Sequence, residues 1–266
     1  MAVTSGQKAR FKEQSQPYRE VIKKITEEEQ KVLEDRDKAE DDLKPYFAFK
    51  ISDLYMNEIT QYITINEIAQ DTMKIKSEDS LDEARKSIYK ILIEMEKITS
   101  SVIDLQLNEI VEFQKKFSEI TDEERYNFSQ RLFYLIDKCE EGYGDNSKWK
   151  LSFVEIRGRS TNVIKNILDY LKLHKFNDPR SEGFNERRKL KKMVEDSLIE
   201  TANAYRKKYE IAGHSAEDMK VGMNLLKALA RIYIVDRNEA AKDKIKKTIA
   251  LWKKKMEDDS KQRKKK

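Results

Sequence analysis

The stretch that decides the fold is SLDEARKSIYKILIEMEKITSSVIDLQLNEIVEFQKKFSEI, residues 80–120. Up to residue 105, its apolar residues recur in alternating steps of three and four, the spacing that forms one apolar stripe along an α-helix. The stripe consists of Leu81, Ala84, Ile88, Ile91, Met95, Ile98, Val102 and Leu105. At about 1.5 Å per residue, the stretch predicts a helix roughly 60 Å long and therefore an elongated molecule.

Capping signals mark both ends of this stretch. Ser80 followed by Glu83 fits a capping box, in which the serine hydroxyl and the glutamate carboxylate each accept a free backbone N–H. Thr121 and Glu124 repeat the pattern and predict that a new helix begins at Asp122. The apolar spacing slips after Leu105, so the long helix is expected to bend or to change its packing partners there.

The composition of the whole chain favours helices. Charged residues make up 39% of the 266 positions, whereas there are only 7 glycines and 3 prolines. We predict an all-α fold: an elongated bundle of six to eight helices, some very long, with antiparallel or coiled-coil-like packing. Two glycines are interpreted by position: Gly158 as a close helix crossing or a kink, and Gly213 as the residue that ends a helix.

Charge and turn residues divide the chain. Residues 1–146 contain 22 basic and 32 acidic side chains, whereas residues 147–266 contain 32 and 17. The predicted segments are a disordered N-terminal arm (1–16), an acidic helical subdomain (17–146), a basic helical subdomain (147–259) and a basic disordered tail (260–266). The two halves either pack on each other or allow the basic end of one copy to meet the acidic end of another.

No residue pattern predicts catalysis. The only cysteine, Cys139, lies in an apolar context and is interpreted as a buried structural thiol. The only histidines, His174 and His214, lack the glutamate three positions earlier that a helical di-metal site requires. We therefore predict a protein that is not an enzyme, with no catalytic residue, no cofactor and no metal.

Two sets of side chains are candidates for an interface. Basic clusters attract phosphates and acidic proteins, and aromatic residues beside arginine are common anchors of protein interfaces. The alternatives are a solubilising or internally paired surface for the basic residues and helix packing for the aromatic ones. The candidates are Tyr143, Trp149, Arg157, Arg159, Arg187, Arg188, Lys191, Lys192, Arg206 and Lys207.

These features predict a structural or scaffold protein that acts by protein–protein contact or self-assembly, for example on a filament, a cytoskeletal array or a flagellar apparatus. The alternative is a basic helical module that binds nucleic acid or an anionic membrane surface through its C-terminal half. The chain has no apolar run of about 18 residues and no secretory signal at its start, so we expect an intracellular protein without a transmembrane segment. Export after removal of a leader, or by a specialised system, stays open, and the residue composition hints at a bacterial source.

Overall fold

The computed structural model describes residues 3–175 and 178–263, without the side chain of His174. Within these residues every regular element is an α-helix, and there is no strand. The prediction of an all-α fold is confirmed, but the described residues form ten helices rather than six to eight. The helices are α1 (Ser5–Lys38), α2 (Lys44–Met73), α3 (Glu78–Thr99), α4 (Leu107–Lys115), α5 (Asp122–Tyr143), α6 (Lys150–Ile167), α7 (Tyr170–Lys175), α8 (Phe184–Ile211), α9 (Ala216–Val235) and α10 (Glu239–Arg263).

The described residues divide into two compact units, each built from two segments of chain. Unit 1 comprises the residues up to Ile98 together with Asn127–Ile156. Unit 2 comprises Thr99–Tyr126 and the residues from Arg157 onward. The predicted boundary at residues 146 and 147 therefore lies inside unit 1. Contacts between residues distant in sequence define the units, whereas the change in net charge reflects only the order of residues along the chain.

Unit 1 contains a hairpin of α1 and α2, whose short connection brings the two helices side by side. Polar side chains join the hydrophobic contacts: the Tyr55 hydroxyl donates to Glu29 Oε1 at 2.5 Å, and Arg36 pairs with Glu94 at 3.2 Å. The least exposed residues of α1 recur in steps of three and four and so form a narrow stripe. They include Gln7, Phe11, Ser15, Tyr18, Ile22, Ile25, Glu29, Val32 and Arg36.

The stripe continues into the predicted disordered arm. Residues 5–16 form the first turns of α1 instead, and residues 1 and 2 lie outside the described residues. A capping box begins this helix, since Gln7 N donates to Thr4 Oγ1 while Thr4 N donates to Gln7 Oε1. The polar composition suggested disorder, but a cap and the buried Ser15 are compatible with helix.

The predicted helix over residues 80–120 is two helices, α3 and α4. α3 begins at Glu78, two residues before the predicted start, and ends at Thr99, where Ser100 adopts a φ of +80°. Buried side chains of α6 compensate for the hydrogen bonds lost at this break. Asn166 Nδ2 donates to the carbonyl oxygens of Thr99 and Ser100 at 2.9 and 3.2 Å, and Lys165 Nζ donates to the carbonyl oxygen of Ile103 at 3.0 Å.

Side chains of α4 and α5 likewise donate hydrogen bonds to the free carbonyl groups at the C-terminal end of α6. Gln114 Nε2 donates to the carbonyl oxygens of Asn166 and Leu168 at 2.7 and 2.6 Å. The buried Arg125 donates to the carbonyl oxygen of Ile167 at 2.6 Å. α5 begins at Asp122 as predicted, and the capping box of Thr121 and Glu124 is present. Two helix ends in unit 2 thus depend on donors that are distant in sequence.

In the rest of unit 2, α9 packs against both α8 and α10. Two glycines permit close approaches. A Cβ atom at Gly222 would lie 3.1 Å from the carbonyl oxygen of Ala202 and 3.2 Å from Trp252, and one at Gly158 would lie 2.7 Å from the Tyr205 ring. The close crossing predicted at Gly158 is therefore confirmed. Gly213 follows the end of α8 with a φ of +78°, also as predicted.

The predicted disordered tail is helical as far as the structure describes it. Residues 260–263 complete α10, and residues 264–266 lie outside the described residues. Contacts with the end of α8 hold this region: the Tyr209 hydroxyl donates to Asp259 at 2.8 Å, and Arg263 donates to the carbonyl oxygen of His214 at 3.1 Å. Across the described residues, no helix combines the length and the hydropathy needed to cross a membrane.

Candidate interaction surface

Two of the predicted interface residues on α8 are buried in ion pairs. Arg187 is 1% exposed and donates to Asp122 Oδ2 at 2.5 Å and to Ser181 Oγ at 3.2 Å. Lys191 lies 2.7 Å from Glu195 and 2.6 Å from Asp236. Burial alone lowers the pKa of Lys191, but hydrogen bonds to these two carboxylates raise it above its ordinary value. Both residues stabilise unit 2 internally, so the prediction of a surface role for them is wrong.

The neighbouring residues Arg188 and Lys192 are exposed, as an interface would require. Lys192 already has a carboxylate partner, since its Nζ lies 3.0 Å from Asp196 one helical turn later. The Arg188 guanidinium lies 6.0 Å from the centre of the Phe184 ring. This part of α8 therefore presents cations whose charge is partly balanced by the same helix.

The other two candidates on α8, Arg206 and Lys207, also differ in exposure. Arg206 is half-buried, pairs with Glu210 at 3.3 Å and lies 5.4 Å from the centre of the Trp252 ring. Lys207 is exposed. The Arg206 guanidinium thus lies over the buried indole of α10 while the side chain stays partly exposed to solvent.

The predicted arginines of α6 flank the close contact at Gly158. Arg157 and Arg159 are both half-buried, and both already make contacts within the chain. The ring of Tyr205 occupies the space beside Gly158. These arginines therefore border a packed helix crossing in unit 2.

The aromatic candidates lie in unit 1. Tyr143 is buried, donates its hydroxyl to Asp82 and packs edge to face on Phe153, with 5.8 Å between ring centres. Trp149 is half-buried, and the Arg85 guanidinium lies 3.8 Å from its ring centre. The interface prediction is wrong for Tyr143, which is a packing residue. Trp149 borders an open cleft of about 590 Å³ but already has a cation on its ring.

The most distinctive cationic surface lies on α10, where the sequence reasoning did not place it. We call it the lysine face: five exposed lysines and two exposed apolar residues that lie mostly on the side of α10 away from the buried Trp252, among the exposed carboxylates of Asp243, Glu257 and Asp258. No side chain among the five makes an ion pair or hydrogen bond with any described residue. Leu251, at one edge of the face, is 68% exposed. The lysine face consists of Lys244, Lys246, Lys247, Ala250, Leu251, Lys253 and Lys254.

The sequence comparison assigns this architecture to a known family. The profile of the TP0443 family matches residues 7–260, almost the whole chain. The chain belongs to the TP0443 family. No curated protein matches it. The TP0443 match spans both units, so the lysine face and the buried ion pairs of α8 both lie within the family's extent.

In this TP0443 protein, the thiol of Cys139 is a packing group rather than a reactive one. Cys139 is fully buried, and its Sγ lies 3.9 Å from the carbonyl oxygen of Leu81. Burial raises the pKa of the Cys139 thiol to about 12, so the thiol is protonated and poorly nucleophilic at neutral pH. Among the described residues, no group of three or more histidine, cysteine or acidic side chains could hold a metal ion. The surface feature that stands out is the group of unpaired ammonium groups on α10.

Proposed function

We propose that this protein is a non-catalytic helical scaffold that acts by contact with another protein, and that the lysine face is its contact surface. The supporting observation is the concentration of five unpaired lysines on one side of α10. Like charges on one helical face repel one another, for example Lys244 and Lys247 at a spacing of three residues. An acidic partner surface would relieve this repulsion and would be steered towards the face by its charge.

Leu251 favours a protein partner over a small anion. A helix side is convex, whereas sites for small molecules are concave. Protein interfaces combine an apolar contact with a polar rim, and here a largely exposed leucine lies one helical turn from both Lys247 and Lys254. The lysine face therefore matches the side of an acidic helix better than it matches a free ion.

The proposal extends to the helix packing. The narrow stripe of α1 recurs in steps of three and four over eight turns, which supports coiled-coil-like packing of the α1–α2 hairpin. Such a hairpin suits an elongated assembly subunit, for example of a filament. In this proposal, the hairpin gives length and the lysine face gives attachment.

A second candidate function uses the same face on a different class of partner. Lysines around an exposed leucine also suit an anionic membrane surface, where the apolar residue enters the headgroup region. Nucleic acid would bind the lysines alone, through its phosphates and with strong salt dependence. The same experiment can compare all three partners.

The test compares a lysine-face variant with a control of equal charge change. The lysine-face triple variant replaces Lys246, Lys247 and Lys253 with glutamine. The control replaces lysines of unit 2 that are exposed but already paired with a carboxylate on the same helix, namely Lys115, Lys192 and Lys220. Probes are a glutamate-rich helical peptide, a 20-base-pair DNA duplex and phosphatidylglycerol vesicles, at about 0.15 M salt where only short-range charge contacts persist.

We expect the acidic peptide to bind the wild-type protein, with affinity reduced at least tenfold by the lysine-face triple variant and changed less than threefold by the control. Equal losses in the two variants would show that net charge, rather than the lysine face, governs binding. Binding of DNA or vesicles but not of the peptide would favour the second candidate function. Binding of none of the three probes would contradict both.

A further inference from the structure

A cluster of carboxylates in unit 1 has the opposite charge to the lysine face. We call it the acidic end, because it runs along the last turns of α1 into the connection to α2. Its four carboxylates are exposed and make no ion pair with any described residue, and Leu43 beside them is 49% exposed. The acidic end consists of Glu28, Asp35, Glu40, Asp42 and Leu43.

Three carboxylates beside this set already have partners, whereas the exposed Lys24 and Lys31 lie one helical turn from Glu28 and Asp35 on the same face of α1. Glu27 lies 3.9 Å from Lys23, Glu34 lies 4.0 Å from Lys38, and Asp41 lies 2.6 Å from Lys44. The four carboxylates outnumber these two lysines, so the acidic end keeps a net negative charge. The C-terminal end of the α1 dipole, which is negative, adds to the same potential.

The two surfaces match in sign and spacing. Glu28 and Asp35 are seven residues apart on α1, and Lys246 and Lys253 are seven residues apart on α10. Seven residues are two turns, about 10.5 Å along a helix, and return the side chain to nearly the same face. Two helices lying side by side can therefore bring both carboxylates opposite both ammonium groups.

Each surface also carries an exposed leucine, Leu43 on one and Leu251 on the other. An exposed leucine adds apolar area that a partner can bury, at roughly 25 cal/mol per Å². Charge would select the partner and steer its approach, and apolar burial would slow its dissociation. The two surfaces therefore have complementary charges and a similar mixed composition.

We infer that the partner of the lysine face is a second copy of this chain, bound through its acidic end. The inference rests on the proposed function and specifies the partner. The contact joins two different surfaces, so a single contact leaves one copy with a free acidic end and the other with a free lysine face. A contact of this kind adds copies one after another and forms an open chain or a closed ring.

The test exchanges the charges of the two surfaces. The face variant carries Lys246→Glu and Lys253→Glu, and the end variant carries Glu28→Lys and Asp35→Lys. Masses are measured by analytical ultracentrifugation as a function of protein concentration and salt, starting from the 31.5 kDa single chain. Circular dichroism checks that each variant keeps its helix content, which exposed substitutions should preserve.

We expect the wild-type protein to form multiples of 31.5 kDa that dissociate at about 0.5 M salt. Each variant alone should associate at least tenfold more weakly. An equimolar mixture of the two should associate again, because each lysine-bearing surface then meets an acidic one. A chain with all four substitutions should also recover self-association, since both of its surfaces are exchanged.

Three outcomes would overturn the inference: a monomeric wild-type protein at all concentrations, association that survives in the single variants, or no recovery in the mixture and in the fourfold variant. The acidic-peptide experiment separates this failure from failure of the proposed function. If the wild-type protein is monomeric but binds the peptide through the lysine face, the proposed function stands and the partner is a different protein. If it neither associates nor binds the peptide, both proposals are wrong.

Discussion

Helices α8 and α10 are both rich in cationic residues, but they place them in opposite environments. On α8, Arg187 and Lys191 are buried and bonded to carboxylates of other segments. On α10, the five lysines of the lysine face are exposed and unpaired, while the buried position is Trp252. Arg187 and Lys191 therefore stabilise unit 2 internally, whereas the lysine face presents its ammonium groups to solvent.

Local sequence explains part of this difference. Lys191 and Lys192 are followed four residues later by Glu195 and Asp196, which pair with them on the same helix. The positions four residues after Lys246 and Lys247 are Ala250 and Leu251, which offer no carboxylate. Lys253 and Lys254 are followed at this spacing by Glu257 and Asp258 but form no ion pair with them, so the spacing allows a pair and the side-chain arrangement decides whether it forms.

Removing a buried cation of α8 should produce the largest effect. Arg187→Met leaves Asp122 buried, with a side chain only 4% exposed, and without its closest cation. We expect the free energy of unfolding to fall by about 3–5 kcal/mol, because an uncompensated buried charge is costly. Urea unfolding followed by circular dichroism measures this loss.

The exposed neighbour is the control for that prediction. Arg188→Met should change the free energy of unfolding by less than about 0.5 kcal/mol. The double variant Asp122→Leu with Arg187→Met should recover part of the loss, since no buried charge is left unpaired. Equal effects of the two arginine substitutions would show that α8 does not separate a structural cation from a surface one.

The contrast between buried and exposed cations also predicts that the free energy of unfolding depends on pH. Burial lowers the pKa of Lys165 from 10.5 to about 7, with Asp104 opposing the shift and Arg231 reinforcing it. Above pH 7 the folded protein loses this proton while the unfolded chain keeps it up to about pH 10.5. The unfolded state then binds more protons, so stability conferred at this site rises with pH across that interval.

Lys165→Met tests this expectation. The difference in unfolding free energy between wild type and variant should change by as much as about 1.4 kcal/mol per pH unit between pH 7 and 9.5, in favour of the wild type at higher pH. The exposed Lys192→Met should show no such trend. A difference that is constant with pH would mean that Lys165 stays charged in the folded protein.

Amide side chains extend the comparison to uncharged groups. Asn166→Ala removes the donor to the carbonyl oxygens of Thr99 and Ser100, and we expect a loss of about 1–3 kcal/mol in the free energy of unfolding. The exposed Asn203→Ala should cost less than about 0.5 kcal/mol. Hydrogen exchange should become faster at residues 100–106 in the Asn166 variant alone. Unchanged exchange there would contradict the role given to Asn166.

This network also shows why the sequence predicted the fold class but misplaced its longest helix. The capping box at Thr121 and the close approach at Gly158 are local signals, and both predictions were confirmed. The break after Thr99 has no proline or glycine to mark it. Its stabilising donors lie more than sixty residues later on α6, so a pattern of apolar spacing over residues 80–120 could not include them.

The candidate surface was predictable in charge but not in position. A cluster such as residues 187–192 shows positive charge in the sequence, and only the fold separates the buried Arg187 from the exposed Arg188. The lysine face was missed because its lysines are spread over three turns and interrupted by Ile249 and Trp252, which pack towards the helices. Considering each residue of the segment by its helical face would have grouped them.

The smallest effect on stability is expected for substitutions at the lysine face itself. A small effect there would separate the exposed lysines of α10 most clearly from the buried cations of α8. The lysine-face triple variant, with Lys246, Lys247 and Lys253 replaced by glutamine, should change the free energy of unfolding by less than about 0.5 kcal/mol, or raise it slightly by relieving repulsion. The same variant should lose binding of the acidic peptide. Urea unfolding and peptide titration on one preparation measure both quantities. A loss of stability as large as that of Arg187→Met would mean that these lysines support the fold, and that α8 and α10 use their cations in the same manner after all.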